Sequence, residues 1–302
     1  MTNPAHAPPL DAGRLSALLA ADGRAWGRCD VPGACDSTMA AMRSQLAEAP
    51  FLDSAWRVVA TDFQTDGRGR SGARWVAAPR SAVLLTVATP LPLPPTVWPR
   101  LSLVAGLAVA RAIEEETGVR LWLKWPNDLL WHDGHGWRKV GGILCERSSA
   151  GCCEAAWLCG IGVNVHGSSP AADRPAGSAT LADAAAALLD RTELALDRTA
   201  LSAAIVCAVR DGVEAFRARR GLLDVWAIES RLAFLGAPVE LDFGPKEGRR
   251  TGTLLGLDET GALRVRPDGT DVSDFGAPAV PLRITAAHGA LAWQAPDTAE
   301  VP

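Results

Sequence analysis

Hydrophobic and polar positions along this chain fall into stretches of two different periods, and the way they take turns predicts an α/β (α+β) fold, a mixed sheet flanked by helices. Met39 to Ala47 has helical spacing, with Ser37 or Thr38 placed to cap its first turn. Trp56 to Thr61 reads as a strand, and Ala82 to Ala88, an unbroken apolar run with β-branched residues, as a buried one. Between them Asp62 to Arg74 forms a loop rich in glycine and arginine, and prolines from Pro90 to Pro99 break the chain again. Leu101 to Thr117 sets Leu101, Val104, Ala105, Ala108 and Ala112 on one helical face and stops at Gly118. From Val119 to Trp125 apolar residues alternate with Arg120, Trp122 and Lys124, so the strand points Lys124 away from Val119 and Leu121, and Pro126 ends its pairing. A polar loop through His132 and Gly136 leads to Val140 to Glu146, and Trp157 to Val165 makes a further strand.

The two ends carry different textures. Residues 1–28 are rich in Ala and Pro and read as a lead-in with one short helix at Leu15 to Ala21. That is too little room for a helix-turn-helix DNA reader. Helices at Ala179 to Leu189 and Thr199 to Arg219 complete a main domain over 29–235. Short strands then follow at Pro238 to Phe243, Arg249 to Leu257, Ala262 to Arg266 and Ala279 to Ile284, separated by glycine-containing turns such as Asp268-Gly269. They predict a small β-barrel over 236–288, with 289–302 as a loose tail.

Composition narrows the function classes. With 48% apolar and 21% charged residues, the 302-residue chain can bury a full core. A net charge of −4 leaves no bulk positive field for a nucleic-acid backbone, so no nucleic-acid partner is expected. The seven cysteines are irregularly spaced and predict free thiols rather than a disulfide framework. The first residues lack a signal-peptide pattern, and no window reaches about 18 uninterrupted apolar residues. A cytoplasmic protein without a membrane partner is the expectation.

Four segments carry candidate chemistry. Gly67-Arg68-Gly69-Arg70-Ser71-Gly72 formally matches a dinucleotide fingerprint, but Pro79 follows closely and no acidic residue occurs before Glu114. The loop is then either a wrap for a phosphate or carboxylate or a solvated basic turn. Lys124-Trp125-Pro126-Asn127-Asp128 sets an ammonium beside an amide and a carboxylate, which suits a polyphosphate with magnesium but also suits an ordinary strand end. Arg138-Lys139-Val140-Gly141-Gly142 puts a lysine at the mouth of a glycine-loosened strand, where a ligand could come close but a solvated strand-end lysine fits better in isolation. Gly160-Ile161-Gly162-Val163-Asn164 ends a second such strand in an amide, which tight core packing explains equally. His132 and His135 fit a surface turn, with no third nearby ligand to suggest a metal.

In this order, together with Asp36-Ser37-Thr38, Gln64, Trp75 and Pro238-Val239, the four segments resemble the biotin protein ligases, in the form without an N-terminal DNA-binding domain. The resemblance runs from Cys35 to about Ile284. It implies a class II synthetase-like ligase domain and an SH3-like barrel, with ATP and biotin as substrates, magnesium, and a biotin carboxyl carrier domain as acceptor. By that similarity Ser37, Thr38, Gln64, Gly67, Arg68, Gly69, Arg70 and Lys139 bind biotin. Arg68, Trp75, Lys124, Asn127, Asp128, Asn164 and Arg283 bind ATP, Lys139 and Arg70 are catalytic, and Asp128 is a candidate metal ligand.

Met39 stands where the family commonly has Asn, and the Leu129 to Trp137 hairpin is long and Trp-rich. A lipoate or octanoate ligase of the same fold and a non-catalytic biotin-binding protein are the alternatives. The resemblance leaves open whether the protein is a monomer or a homodimer.

Overall fold

The computed structural model describes residues 7–21, 23–51, 56–148, 155–166, 196–243, 248–268, 282–284 and 290–292, the last two segments as backbone. A seven-stranded sheet runs in the order β1-β2-β3-β7-β6-β5-β4. Its strands are β1 (Trp26–Asp30), β2 (Trp56–Thr61), β3 (Ala82–Pro90), β4 (Trp122–Lys124), β5 (Asp128–His132), β6 (Trp137–Ser148) and β7 (Ala156–Asn164). β1 and β2 are parallel and every other neighbouring pair is antiparallel, so the sheet is mixed. The helices are α1 (Ala12–Ala20), α2 (Thr38–Glu48), α3 (Leu101–Thr117), α4 (Arg198–Ala218) and the short α5 (Val225–Glu229).

Local signals account for the helix ends. The Ser37 side chain caps α2 by accepting from the Ala40 N–H, and Asp197 caps α4 by accepting from Thr199 and Ala200. Gly118 closes α3 at φ 73°, where a Cβ would be strained.

Antiparallel register decides what each face of the sheet carries. Val83, Leu85 and Val87 of β3 stand opposite Val163, Ile161 and Cys159 of β7, and all six belong to the main core beneath α3 and α4. On the other face Leu84, Thr86 and Ala88 stand opposite Gly162, Gly160 and Leu158. There α2 covers only part of the surface, with Met39, Met42 and Leu46 packed on Ala88 and Leu158. Each large aliphatic side chain buried in these layers contributes about 1.5–3 kcal/mol. The stretch Pro95–Thr117 is long and apolar enough by composition to cross a membrane. In this fold it is a core helix, with Leu101, Leu103, Val109 and Ile113 buried.

Several expectations change here. The lead-in is not peripheral: Leu15 and Leu19 of α1 are fully inside the main core, and the Asp11 N–H reaches Thr199 Oγ1 at 3.2 Å. The expected polar loop after Asp128 begins as strand β5, because Leu129, Leu130 and Trp131 bury against β4 and β6. Val119 and Leu121 are buried but precede β4 rather than pairing within it. The helix expected at Ala179 to Leu189 lies outside the described residues.

The small C-terminal unit is a five-stranded antiparallel sheet in the order β11-β10-β9-β8-β12. It comprises β8 (Pro238–Asp242), β9 (Arg249–Leu257), β10 (Leu263–Pro267), β11 (Leu282–Ile284) and β12 (Ala290–Ala292). β12 falls in the stretch expected to be a loose tail and instead pairs with β8 through Leu291 opposite Leu241.

Candidate active site

Three strands meet in register under the part of the sheet that α2 leaves bare: Asp128 of β5 is opposite Gly142 of β6, and Gly142 is opposite Gly162 of β7. Two adjacent glycines remove the side chains that would otherwise fill this face and leave a shallow trough. The indole of Trp75 lies over it. A methyl group at Gly162 would come within 2.7 Å of the Trp75 ring, and one at Gly142 would lie 3.5 Å from that ring, 3.6 Å from the Asp128 carboxylate and 3.7 Å from Lys139 Cε.

The glycine and arginine loop is a folded hairpin. The Trp75 N–H donates to Gly67 O at 2.9 Å and the Gly69 N–H to Ala73 O at 2.7 Å, around a 3-10 turn at Arg70–Gly72. This hairpin carries Trp75 onto the trough and docks on the next element through Arg70, whose guanidinium donates to Asn127 Oδ1 at 3.1 Å.

β4 and β5 form a tight hairpin closed by the Asn127 N–H on Lys124 O at 3.1 Å, with Lys124 opposite Asp128. Asn127 is fastened to β6 at both ends: the Ile143 N–H donates to Asn127 O at 2.8 Å, and Asn127 Nδ2 to Ile143 O at 3.0 Å. Lys139 reaches the same spot from β6, its Nζ 2.7 Å from Asp128 Oδ1. A cavity of about 840 Å³ opens beside this group, and its lining includes Arg68, Arg70, Asn127, Cys145 and Trp98. A polar relay lies under the start of α2. Gln64 Oε1 accepts from the Thr38 N–H at 2.8 Å and from Thr38 Oγ1 at 3.2 Å, and Thr86 Oγ1 is 2.8 Å from Thr38 Oγ1. Gln64 borders the hairpin at Gly67, where a Cβ would fall 2.9 Å from Nε2.

Lys124, Asn127, Asp128, Lys139, Arg70 and Trp75 therefore converge, and Thr38, Gln64 and Gly67 adjoin them. Asn164 stands on the same β7 face as Gly162, two residues along. Arg68 lines the cavity, but its guanidinium is turned to Asp66 Oδ2 at 3.0 Å. The Ser37 hydroxyl serves as a helix cap. Arg283 lies on β11, paired with Arg264 of β10, and its side chain is outside the described part. The sequence pattern does not single out Thr86; its available signal is one hydroxyl within the apolar run Ala82 to Ala88, which the structure buries completely. Met39 packs on Gly160, where a Cβ would meet its Cγ at 3.1 Å, so it fills the sheet face rather than offering a polar contact. His132 stacks edge-on against Trp137 at 4.9 Å, a packing role.

Burial pushes the Lys124 ammonium below the ordinary lysine value; Asp128 opposes this shift and the Lys139 charge adds to it. The folded chain thus gives up this proton at lower pH than the unfolded chain does. Between the two values the unfolded chain binds more protons, so the Lys124 contribution to stability rises with pH across that window. Any anion held by the Lys124 ammonium would respond in the opposite sense, since it needs the charge. Inorganic pyrophosphate is expected to bind more weakly at a pH below the usual lysine range, and Lys124→Arg to carry that limb upward because a guanidinium stays protonated. Pyrophosphate affinity measured against pH checks this; a limb unmoved in Lys124→Arg assigns the titration to another group.

A glycine-lined sheet face with cationic groups at one end and an uncharged polar relay at the other suits a ligand that is anionic at one end and polar but uncharged at the other. Comparison with known proteins gives the class, a ligase domain. The sequence profile of the Biotin/lipoate A/B protein ligase family matches residues 35–164. The biotin--[acetyl-CoA-carboxylase] ligase of Paracoccus denitrificans is 32% identical over 248 residues, covering 78% of this chain and 94% of that protein. The ligase of the same name from Mycobacterium tuberculosis is 34% identical over 196 residues, 62% of this chain and 67% of that one. The structure of the biotin protein ligase from Aquifex aeolicus in complex with biotin and ATP aligns with a TM-score of 0.68 at 25% identity, covering 89% of this chain and 100% of that chain. The chain belongs to the biotin/lipoate A/B protein ligase family.

Proposed function

We propose that this protein is an ATP-dependent biotin protein ligase of the cytoplasm that forms biotinyl-5'-AMP and passes biotin to a lysine of a biotin carboxyl carrier domain. The observation that carries the reading is the meeting of Lys124, Asp128 and Lys139 beside Gly142, with Arg70 docked on Asn127. The biotin carboxylate oxygen attacks the α-phosphorus and pyrophosphate leaves, so no enzyme nucleophile is needed. Positive charge is needed, and Lys139 and Arg70 supply it where the phosphate oxygens gain charge, with Arg68 at the cavity wall. Lys124 and Asn127 face the nucleotide phosphates, and Trp75, Asn164 and Arg283 serve the nucleotide. The acceptor amine then attacks the acyl carbonyl and AMP departs.

Among the described residues no cluster of three His, Cys, Asp or Glu could hold a metal. A single carboxylate fits magnesium, which keeps its waters and takes most other ligands from substrate phosphates; Asp128 would hold it, neutralising phosphate charge. The relay of Thr38, Gln64 and Thr86, with Ser37 beside it, favours biotin over lipoate. A ureido ring offers N–H donors and a carbonyl acceptor to such a relay, whereas a dithiolane offers neither.

Pyrophosphate release with ATP and either acid decides between the two acids. Release with biotin supports the reading, and turnover with lipoate alone would overturn it. Arg70→Ala, which frees the loop from Asn127, is expected to shorten the dwell time of the adenylate by about tenfold and to raise labelling of non-acceptor lysines. Intermediate retention as in the parent protein would refute the closing role of the loop.

A further inference from the structure

The phosphate-facing hairpin is held from behind by the C-terminal sheet. Between Lys124 and Asn127, Trp125 turns into the protein, 2% exposed, and its indole N–H donates to the carbonyl of Gly261 at 3.0 Å. Gly261 belongs to the turn between β9 and β10, and that turn is built around one carboxylate. Asp258 Oδ1 accepts from the Thr260 N–H at 2.8 Å, from the Thr260 hydroxyl at 2.6 Å and from the Ala262 N–H at 3.1 Å. The Asp258 carbonyl accepts from the Gly261 N–H at 2.9 Å. Gly261 sits at φ 80°, and a Cβ there would fall 2.9 Å from Leu223 and 3.0 Å from Leu103, so the turn is seated tightly. The turn is anchored at its base as well, where Glu229 of α5 accepts from the Leu257 N–H at 2.6 Å. Beside the contact a cavity of about 330 Å³ is lined by Trp125, Pro126, Thr260, Gly261 and Ala262, so the hairpin has room to shift if this tie is cut.

We propose that Asp258 is a positioning residue for adenylation: it shapes the turn that presents Gly261 O, and through the Trp125 indole that carbonyl sets where Lys124, Asn127 and Asp128 stand. The assignment deepens the ligase reading and rests on it. A hydrogen bond buried on both sides is directional, and a small displacement of groups that orient a phosphate lowers the rate far more than it lowers stability. The C-terminal sheet is thereby part of the nucleotide end of the site, although none of its described side chains reaches the trough.

The test uses the full chain with three variants. Trp125→Phe deletes the N–H and keeps an aromatic ring, Asp258→Ala deletes the acceptor, and Asp258→Asn keeps an oxygen that can take the backbone N–H groups. KM for ATP and kcat come from pyrophosphate release, and biotin affinity without nucleotide from calorimetry. Trp125→Phe and Asp258→Ala are expected to raise the KM for ATP about tenfold with biotin affinity unchanged, and Asp258→Asn to recover most of the loss. Loss of biotin binding in step with ATP, or a lowered melting temperature with unchanged kinetics, overturns the positioning role and leaves a purely structural contact. Should Asp258→Ala fail to fold, Trp125→Phe and Asp258→Asn still decide. An inactive parent protein would count against the ligase reading itself, whereas an active parent with unaltered variants counts against the positioning role alone.

Discussion

Lys139→Ala is expected to lower ATP-dependent pyrophosphate release by about a thousandfold, the scale seen when a preorganised charge or donor is removed from a developing anion. The ammonium lies 2.7 Å from Asp128, and its stem borders Gly142 where the trough meets the Lys124 hairpin. Truncation removes one positive charge and leaves Lys124 as the cation facing the Asp128 carboxylate, so net positive charge at this end of the trough falls. The fold should barely notice. The Lys139 side chain is 42% exposed, and a partly solvated ion pair contributes little to stability. The signature is therefore a collapse in turnover with an almost unchanged melting temperature. Retention of more than a tenth of the parental rate would remove Lys139 from the chemistry. Lys139→Arg keeps the charge but not the compact point donor, and an intermediate rate is expected.

Asp62→Ala is expected to cost about 3–5 kcal/mol of folding stability, because it leaves an uncompensated charge inside the protein. Arg198 at the start of α4 has a side chain only 2% exposed, and its guanidinium meets Asp62 at 2.7 Å, with Asp62 at 11%. The same carboxylate accepts from the Leu10 N–H at 3.2 Å, and Arg198 also donates to Pro8 O at 2.6 Å. One pair thus ties the lead-in, the end of β2 and α4 together. Urea unfolding at constant m-value measures the loss, and a change under about 1 kcal/mol would show that water or a neighbour compensates the cation. Asp62→Asn, which can still accept from Leu10, is expected to lose less.

How much of this was legible beforehand follows the range over which each signal acts. α2, β2 and α3 stand where the pattern places them, because capping by Ser37, the short apolar run of β2 with its β-branched residues, and the Gly118 stop are all signals within a few residues of chain. The strand β5 is obscured in the sequence by its polar Asp128 and His132 ends; its three central residues become strand only through partners on both sides. The core position of α1 and the pairing of β12 are hidden from a local reading for the same reason, since the surfaces that hold them are supplied by residues far along the chain.

The amino-acid sequence by itself determined the helix caps, the strand periods and the residue types a carboxylate-activating site requires, since those depend on neighbours a few positions away. Tertiary structure alone decided that Gly142 and Gly162 share one bare face, that Lys124 and Lys139 arrive there from different strands, and that Thr86 completes the relay with Thr38 and Gln64. It also decided that Trp125, which reads as a strand residue, is the link to the turn at Gly261. Register and the packing of distant segments set these relations, and a local periodicity carries no information about which strand will lie alongside.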